Sequence, residues 1–280
     1  MIKVLKPGLF TTVQDTGRFG FRKMGVPVSG AMDFIAYNKG NVLLGNPPNS
    51  ASLEITMTGP SLLFAVGTDI VITGANISPK INEREVSNDK ILNVQKGDIL
   101  SFGKLVNGFR SYLAVAGGFS TEKIMGSRSY MNHITSKSKL NENDTLPIAG
   151  LTNKPPKEVG YTNTANNYLF DTELQVLKGP EFELLPEIMQ RKLFETDFTV
   201  SKDYNRMAYQ LVEIIQPHDY SMITSATLPG TVQLTPQGKL IILMRNGQTT
   251  GGYIRVLQLT EKAVSVLAQK KFKDTLKFVL

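Results

Sequence analysis

The spacing of apolar runs is the feature that most constrains the fold of this chain. From Leu53 onward, short apolar runs alternate with turns rich in Gly, Pro, Asn and Asp. Residues 62–66, 70–72, 91–94 and 112–116 are examples. Runs of this length and spacing are typical of strands in an all-β barrel or sandwich. The sequence therefore predicts a mainly β fold.

Two weak similarities between segments of the chain suggest a duplicated β domain. Residues 174–180 resemble residues 53–60, and residues 238–244 resemble residues 108–114. A chain of 280 residues is long enough for two domains of roughly 100–150 residues each. The sequence therefore favours two domains of one kind.

The boundary between the two domains is predicted in a polar stretch. Residues 132–167 are rich in Asn, Lys, Ser, Thr and Pro, which is typical of a long loop or linker. We predict an N-terminal β domain over residues 1–160 and a C-terminal one over residues 161–280. The opening strand-turn-strand, residues 4–13, belongs either to the first domain or to the second barrel.

Two segments carry helical periodicity. Residues 31–44 place apolar side chains at helical spacing, and Ser29 is a candidate N-cap. Residues 181–194 predict one amphipathic helix that packs against the barrel.

Composition excludes several kinds of chemistry. The chain has no cysteine, which removes disulfides, thiolate catalysis and cysteine-ligated metals. Its two histidines, His133 and His218, have no metal-ligand spacing and are predicted at exposed loop positions, so we expect no metal site and no Ser-His-Asp triad. No run approaches the ~18 apolar residues of a membrane span. The expected location is the cytoplasm.

The charge of the chain is +7, and lysines cluster near its C-terminus. An anionic partner is one explanation. Apolar residues interleave with these lysines, so a solvated amphipathic tail is favoured instead. Because the chain has no tryptophan and no basic stretch with interleaved aromatics, we expect no nucleic-acid binding.

Polar clusters marked by glycine carry the possible chemistry. The last of them, residues 248–253, follows the apolar strand predicted at residues 240–244. Its side chains offer uncharged donors and acceptors, and its glycines allow close approach of a ligand to the backbone. A plain tight turn is the alternative. No Walker A loop and no Gly-x-Ser-x-Gly elbow occur in the sequence.

Short segments in chain order resemble the KipA-like, biotin-dependent carboxyltransferase-type family. That family includes the C subunit of the bacterial 5-oxoprolinase, proteins described as the second allophanate-hydrolase subunit, and a domain of urea carboxylase. The matching segments are residues 12–20, 25–33, 44–47, 53–54 with 59–60, 73–75, 112–118, 126–129, 205–207 and 248–253.

The resemblance implies a fold, partners and an activity. The implied fold is two cyclophilin-like β-barrel domains with a few short helices, facing one another across a site. The implied partners are a KipI-like protein (the B subunit) and a LamB/YcsF-like protein (the A subunit). Together they would open 5-oxoproline to L-glutamate with ATP, which acts at the level of the complex, and no biotin is attached to this chain. The substrate would be a small amide or lactam whose carbonyl is polarised.

The resemblance also assigns roles to residues. Asp15 and Asp33 are the predicted catalytic residues, as groups that orient or accept a proton. The predicted substrate-binding residues are Gln14, Arg18, Arg206, Gln248, Thr249, Thr250, Gly251 and Tyr253.

Departures from the family pattern leave two other functions open. Tyr130 and Met131 replace a usual Thr-Asp, Gln210 replaces an arginine, and Asn246 and Gly247 replace a usual Asp-Arg. Lost acids and arginines favour a non-catalytic KipA-type regulator that binds a KipI-like kinase inhibitor. Carboxyl transfer in a urea- or allophanate-type biotin system ranks third, because no biotinylation motif is present.

Overall fold

The structure, a computed structural model, describes residues 1–149 and 166–280. Strands dominate it, which confirms the predicted mainly β class. The chain divides into two compact units. Unit 1 comprises residues 1–18 and 29–169, and unit 2 comprises residues 19–28 and 170–280. The domain boundary predicted at residue 160 lies outside the described residues.

Unit 1 contains two antiparallel sheets. The first has the strand order β11-β1-β4-β9-β6-β7, and the second has the order β2-β3-β10-β5-β8. The predicted opening strand-turn-strand is present, and both of its strands pair within unit 1. The strands are β1 Ile2–Lys6, β2 Phe10–Gln14, β3 Ser52–Thr56, β4 Ser61–Phe64, β5 Thr68–Asn76, β6 Pro79–Ile81, β7 Arg84–Glu85, β8 Ile91–Val94, β9 Ile99–Phe102, β10 Asn107–Val115 and β11 Thr145–Leu146.

Alternation along the strands builds the core of unit 1. On β4, Leu62 and Phe64 are fully buried while their neighbours are partly exposed. Successive side chains of a strand point to opposite faces, so this period of two places one face on the core. Leu53, Ile70 and Ile72 from the other sheet join the same apolar cluster.

The helix α1, Phe34–Leu43, begins later than predicted, and Ser29 does not cap it. The N-cap is Asp33, whose Oδ1 accepts a hydrogen bond from the Ala36 amide at 3.0 Å. Ser29 and Gly30 both have positive φ, 58° and 87°. Two successive left-handed residues cannot belong to an α-helix, so the helix begins only after them.

Unit 2 contains a closed seven-stranded barrel in the order β12-β19-β16-β17-β14-β13-β20. A parallel pairing of its first and last strands closes it, and a small two-stranded sheet lies outside the barrel order. The barrel strands are β12 Glu173–Lys178, β13 Phe198–Tyr204, β14 Ala208–Ile214, β16 Thr231–Leu234, β17 Lys239–Leu243, β19 Ile254–Leu259 and β20 Thr275–Val279. The small sheet consists of β15 Ser225–Ala226 and β18 Thr250–Gly251.

The single helix predicted over residues 181–194 is two pieces. A 3-10 turn, Phe182–Leu184, is followed by the helix α2, Glu187–Glu195. Between them Leu185 is extended (φ −77°, ψ 140°) because the next residue is Pro186. Proline disfavours helical backbone in the preceding residue, and it fits the start of a helix because it has no N–H.

The prediction of a solvated C-terminal tail was wrong. The helix α3, Glu261–Ala268, is buried along most of its length, and β20 is a barrel strand. Lys270 is only 5 % exposed, and burial lowers its pKa. Val264, Leu267 and Leu276, which lie among these lysines, are therefore part of the buried interior, whereas Phe272 is exposed. Within the described residues, no helix is long and apolar enough to cross a membrane.

Candidate functional site

Asp15 lies at the centre of a closed hydrogen-bond network in unit 1. Its carboxylate accepts from the Gly17 amide (2.8 Å), the Ser127 hydroxyl (2.6 Å), the Ser129 hydroxyl (2.7 Å) and the Arg128 amide (2.6 Å). The backbone of Asp15 also receives a bond from Ala31. The carboxylate is buried, with 4 % of the residue exposed. Asp15 therefore binds residue 31 through its backbone, and its carboxylate holds the loop at residues 127–129 in place.

Arg18 and Gln14 extend this network. Arg18 is fully buried and donates to the Ser29 hydroxyl (2.8 Å) and to the Ser129 carbonyl (2.6 Å). Gln14 is also fully buried and donates to the Tyr130 carbonyl at 3.2 Å. The structure therefore brings Gln14, Asp15 and Arg18 together, as expected from their proximity in sequence. Their contacts inside unit 1 are structural, and their roles in catalysis or binding stay predictions.

Glycine is required at one position of this network. A Cβ on Gly30 would lie 2.9 Å from the carbonyl carbon and oxygen of Thr16. Its φ of +87° is also unfavourable for residues with side chains. Gly30 therefore allows residues 16 and 30 to approach closely beside Asp15.

Asp33 lies in a second buried network of unit 1. Besides capping α1, its carboxylate accepts from the Tyr168 hydroxyl at 2.7 Å. Its amide donates to the Tyr112 hydroxyl, which itself donates to Glu54 at 2.7 Å. Burial, and then the charge of Asp33, raise the pKa of Tyr168 far above its ordinary value. Both tyrosines therefore remain protonated donors, and Asp33 is fully buried among them.

The predicted C-terminal segment lies in unit 2 as a loop and a short strand. β18 pairs with β15, which aligns Thr250 with Ala226. The carbonyl of Gln248 accepts from the Thr227 hydroxyl at 2.6 Å. Arg22 donates to the carbonyls of Thr227 and Thr249. Residues 248–251 are thus held mainly through their backbone, which leaves the side chain of Gln248 available for another role.

A cavity of about 510 Å³ opens beside this segment in unit 2. Gln248 and Tyr253 line it, but Thr249, Thr250, Gly251 and Arg206 are not among its described lining residues. Three glutamine carboxamides and two phenols are the main polar groups of the wall. The full lining is Lys202, Asp203, Tyr204, Asn205, Met207, Ala208, Gln210, Gln233, Ile241, Leu243, Gln248 and Tyr253.

Sequence reasoning missed Gln233, the most buried carboxamide of this wall. Gln233 lies on β16 and is 1 % exposed. Its Oε1 accepts from Gln248 at 3.4 Å, and its Nε2 lies 3.5 Å from the Tyr253 carbonyl. Both distances are at the long limit of a hydrogen bond. A buried carboxamide so weakly paired costs about 1–3 kcal/mol, a cost that a ligand would offset.

Gly251 makes room for Gln233. A Cβ at residue 251 would lie 2.6 Å from the Gln233 Nε2 and 3.3 Å from the Gln248 Nε2. The predicted role of Gly251 was close approach to a ligand. In the structure its lack of a side chain makes room for Gln233, and its role toward a ligand stays a prediction. In the sequence, Gln233 is a single glutamine between Val232 and Leu234, which is not a motif for a binding site.

Arg206 is buried beside the cavity rather than in its wall. Its Nη2 lies 3.4 Å from the Asn246 Oδ1, and its carbonyl accepts a hydrogen bond from the Asn246 amide at 2.9 Å. A Cβ at Gly247 would lie 2.9 Å from the Met244 carbonyl, so the glycine fits this tight turn. Of the departures from the family pattern, only Gln210 lies in the described cavity wall. Tyr130 packs in the core of unit 1, and the Met131 sulfur accepts from Ser29.

No metal site is present in the part of the chain that the structure describes. No group of three or more His, Cys, Asp or Glu residues there could hold a metal ion. Both histidines lie in loops, as predicted; His133 is exposed, as predicted, but His218 is partly buried.

The fold belongs to a known class of protein. The carboxyltransferase domain, subdomains A and B, matches residues 24–280. This chain therefore belongs to the carboxyltransferase-domain family, which confirms the resemblance of its motifs.

Several known proteins are similar to this chain. It is 32 % identical to the C subunit of the Escherichia coli 5-oxoprolinase over 285 residues, covering 100 % of this chain and 91 % of that protein. The C subunit of the Haemophilus influenzae 5-oxoprolinase is 29 % identical, with 99 % and 90 % covered. The crystal structure of the Kluyveromyces lactis urea carboxylase matches with a TM-score of 0.85 at 27 % identity. This chain covers only 27 % of that much longer protein, and 99 % of its own length is matched.

Proposed function

We propose that this chain is the C subunit of an ATP-dependent 5-oxoprolinase-type complex. In the complex it acts with a KipI-like B subunit, and with a LamB/YcsF-like A subunit, to open 5-oxoproline to L-glutamate. ATP is used at the level of the complex, in the cytoplasm.

The observation that carries this proposal is the extent of the similarity. The match to two proteins named as C subunits of 5-oxoprolinases runs almost from end to end in both chains. Against the urea carboxylase, the same chain is a minor part of a longer protein. The near-complete match to two proteins named as C subunits therefore supports this role for the chain.

The cavity in unit 2 also supports a lactam substrate. Carboxamides and phenols offer paired donors and acceptors without formal charge. Such groups match the C=O and N–H of a lactam, and they would polarise its carbonyl as the ring opens. Gln248 and Tyr253 are the two predicted binding residues that line this cavity.

The test is reconstitution of the complex. The purified chain is mixed with its cognate KipI-like and LamB/YcsF-like subunits, and ATP hydrolysis is measured with and without 5-oxoproline. We expect turnover that requires 5-oxoproline, ATP and all three subunits. Turnover that is unchanged when this chain is omitted would contradict the proposal.

A single-atom change tests the placement of the substrate. Tyr253→Phe removes one hydroxyl from the cavity wall and should lower kcat/KM for 5-oxoproline about five- to tenfold, the value of one hydrogen bond. Tyr220→Phe, outside the described cavity wall, is the matched control and should leave kcat/KM unchanged.

A non-catalytic regulator is the second candidate, and Gln210 favours it. This residue lies in the cavity wall at the position where the family usually has arginine. A protein that binds a KipI-like kinase inhibitor without catalysis would co-purify with the KipI-like protein and show no 5-oxoproline-dependent ATP hydrolysis. Restoration of activity by Gln210→Arg would support loss of catalysis in this chain.

Carboxyl transfer is the third candidate, favoured by the description of the family itself. It requires a biotin carrier on another protein. Transfer of labelled carboxylate from a biotinylated partner to urea or a related amide is the test that distinguishes it.

A further inference from the structure

One face of the barrel in unit 2 carries a row of side chains that the core does not use. On β16, Val232 and Leu234 are fully buried in the barrel core. Gln233 lies between them and therefore points to the opposite face. It pairs with Ile241 on β17, and Ile241 pairs with Gln210 on β14. Directly paired residues share a face of the sheet, so these three form one row across three strands.

A polar side chain on the outer face of a barrel is normally exposed, but Gln233 is not. The loop at residues 248–253 covers it, with Gln248 and the Tyr253 carbonyl nearest to its carboxamide. These contacts, at 3.4 and 3.5 Å, use little of its hydrogen-bonding capacity. A covered carboxamide with capacity to spare, beside an open cavity, is the geometry of a recognition group.

The other two glutamine carboxamides of the cavity are similarly placed. The side chain of Gln210 lies in the same row and makes no hydrogen bond to any residue that the structure describes. Gln248 faces the cavity from the covering loop. Each carboxamide is both donor and acceptor, so the group is complementary to another amide. Phosphate and carboxylate are instead bound by Arg or Lys.

The charged residues of the cavity are adjacent in sequence. Lys202 and Asp203, both exposed, are the charged members of the described lining. The glutamine side chains of the wall are neutral, and Lys202, on β13 next to β14, is the cationic group of the described lining. A ligand with an amide at one end and a carboxylate at the other matches this division.

We propose that Gln233, with Gln210 and Gln248, binds the amide group of a small lactam, and that Lys202 binds its carboxylate. The choice of a lactam rests on the proposed function. The site itself rests on the geometry of unit 2. Gln233 and Gln210 are thus assigned a recognition role in this cavity.

The test uses three small probes on the full chain, measured by isothermal titration calorimetry. 5-Oxoproline carries both lactam and carboxylate, 2-pyrrolidinone carries only the lactam, and proline carries the ring and carboxylate without the amide. We expect both lactams to bind the parent chain and proline to bind far more weakly. Proline binding as tightly as 5-oxoproline, or no binding of either lactam, would overturn the proposal.

Variants separate the two halves of the site. Gln233→Leu and Gln210→Leu should each weaken both lactams about tenfold, because each removes hydrogen bonds to the amide. Lys202→Gln should weaken 5-oxoproline alone. Gln237→Leu and Lys239→Gln, exposed positions outside the described lining, are the matched controls and should change nothing. If Gln233→Leu fails to fold by circular dichroism, the partly exposed Gln210 still gives the test.

The same variants distinguish this proposal from the proposed function. If the reconstituted complex turns over 5-oxoproline and both glutamine variants keep the parental KM, the recognition site is wrong and the function stands. If the chain binds lactams with the expected variant pattern but the complex shows no turnover, the function is wrong and the site stands.

Discussion

Two polar clusters of this protein differ in how completely their hydrogen bonds are made. Around Asp15 in unit 1, every contact is short and the carboxylate accepts from four donors. Around Gln233 in unit 2, the contacts are at the long limit and an open cavity adjoins them. Both clusters are buried and both are marked by glycine.

The difference separates a polar group that holds the fold from one that is available to a ligand. A carboxylate with four donors stabilises the loops that supply them, and its lone pairs are occupied. A carboxamide with weak partners contributes little to the fold but can bind a ligand without first breaking strong bonds. Burial and residue type alone do not distinguish these two cases.

The largest expected effect on stability is at Asp15. Asp15→Ala should lower the free energy of unfolding by about 3–5 kcal/mol, because four buried donors lose their acceptor together. Urea-induced unfolding followed by circular dichroism measures it. Glu122→Ala, an exposed residue of the same unit, is the control and should stay within about 0.5 kcal/mol. A loss below about 1 kcal/mol at Asp15 would contradict the view that its cluster stabilises the fold more than the Gln233 cluster does.

The Glu181–Arg255 pair of unit 2 also has its hydrogen bonds completed. It tests whether complete hydrogen bonding, rather than membership of unit 1, determines how much a polar group stabilises the fold. Glu181 accepts three hydrogen bonds from the Arg255 backbone amide and guanidinium at 2.7–2.9 Å. Glu181→Gln should lower the free energy of unfolding by about 1.5–3 kcal/mol at pH 7. Glu183→Gln, whose ion pair with Lys178 is exposed, should cost at most about 1 kcal/mol.

The Glu181 pair also predicts a pH dependence. The hydrogen bonds from Arg255 hold the pKa of the Glu181 carboxyl below its ordinary value. Its stabilisation is therefore fully present above the ordinary glutamate pKa, and it is lost as pH falls through the lower, folded-state value. The difference in free energy of unfolding between the parent chain and Glu181→Gln should be constant at neutral pH and become smaller in acid. If the difference in unfolding free energy does not change in acid, the Glu181 carboxylate does not cause the pH dependence.

A smaller effect is expected at the second network of unit 1. Tyr168→Phe removes the hydroxyl that donates to Asp33 and should cost about 1–2 kcal/mol of unfolding free energy. The Asp33 carboxylate keeps its bond from the Ala36 amide, so the loss is partial. Tyr220→Phe is the control in the same urea titration. A neutral result at Tyr168 would mean that Asp33 is held mainly by its helix.

The smallest effect on stability, with a clear effect on binding, is expected at Gln248. Gln248→Ala removes one long hydrogen bond and should change the free energy of unfolding by less than about 1 kcal/mol. The kcat/KM of the complex for 5-oxoproline should nevertheless fall about tenfold. A large loss of stability with normal kcat/KM would contradict the prediction, because it would mean that Gln248 stabilises the fold and does not bind the substrate.

Much of the fold was predictable because strand formation follows local patterns. The alternation at Leu62 and Phe64 and the apolar run before Gln248 both became strands at the expected places. The start of α1 was misplaced because Ser29 and Asp33 are both good N-cap residues, and backbone conformation chose between them. Pro186 signals a break in the helix, but the helical spacing of the apolar residues on both sides of it led to the prediction of one continuous helix.

The candidate site was predictable only in part. Neighbours in sequence such as Gln14, Asp15 and Arg18 do lie together, but the sequence does not show that Ser127 and Ser129 complete their hydrogen bonds. Gln233 was missed because a single glutamine in an apolar strand carries no motif. Its importance depends on the loop at residues 248–253 that covers it.

By itself, the sequence determined the mainly β class, the positions of most strands and the family, because apolar alternation and ordered motifs are properties of the chain alone. Only the tertiary structure decided which polar residues have their hydrogen bonds completed and which face a cavity. For Asp15 the partners include Ser129, 114 positions away, and for Gln233 they depend on how the segment at residues 248–253 folds over it. Hydrogen-bond partners are set by distances in the folded chain, and these distances cannot be read from the order of residues.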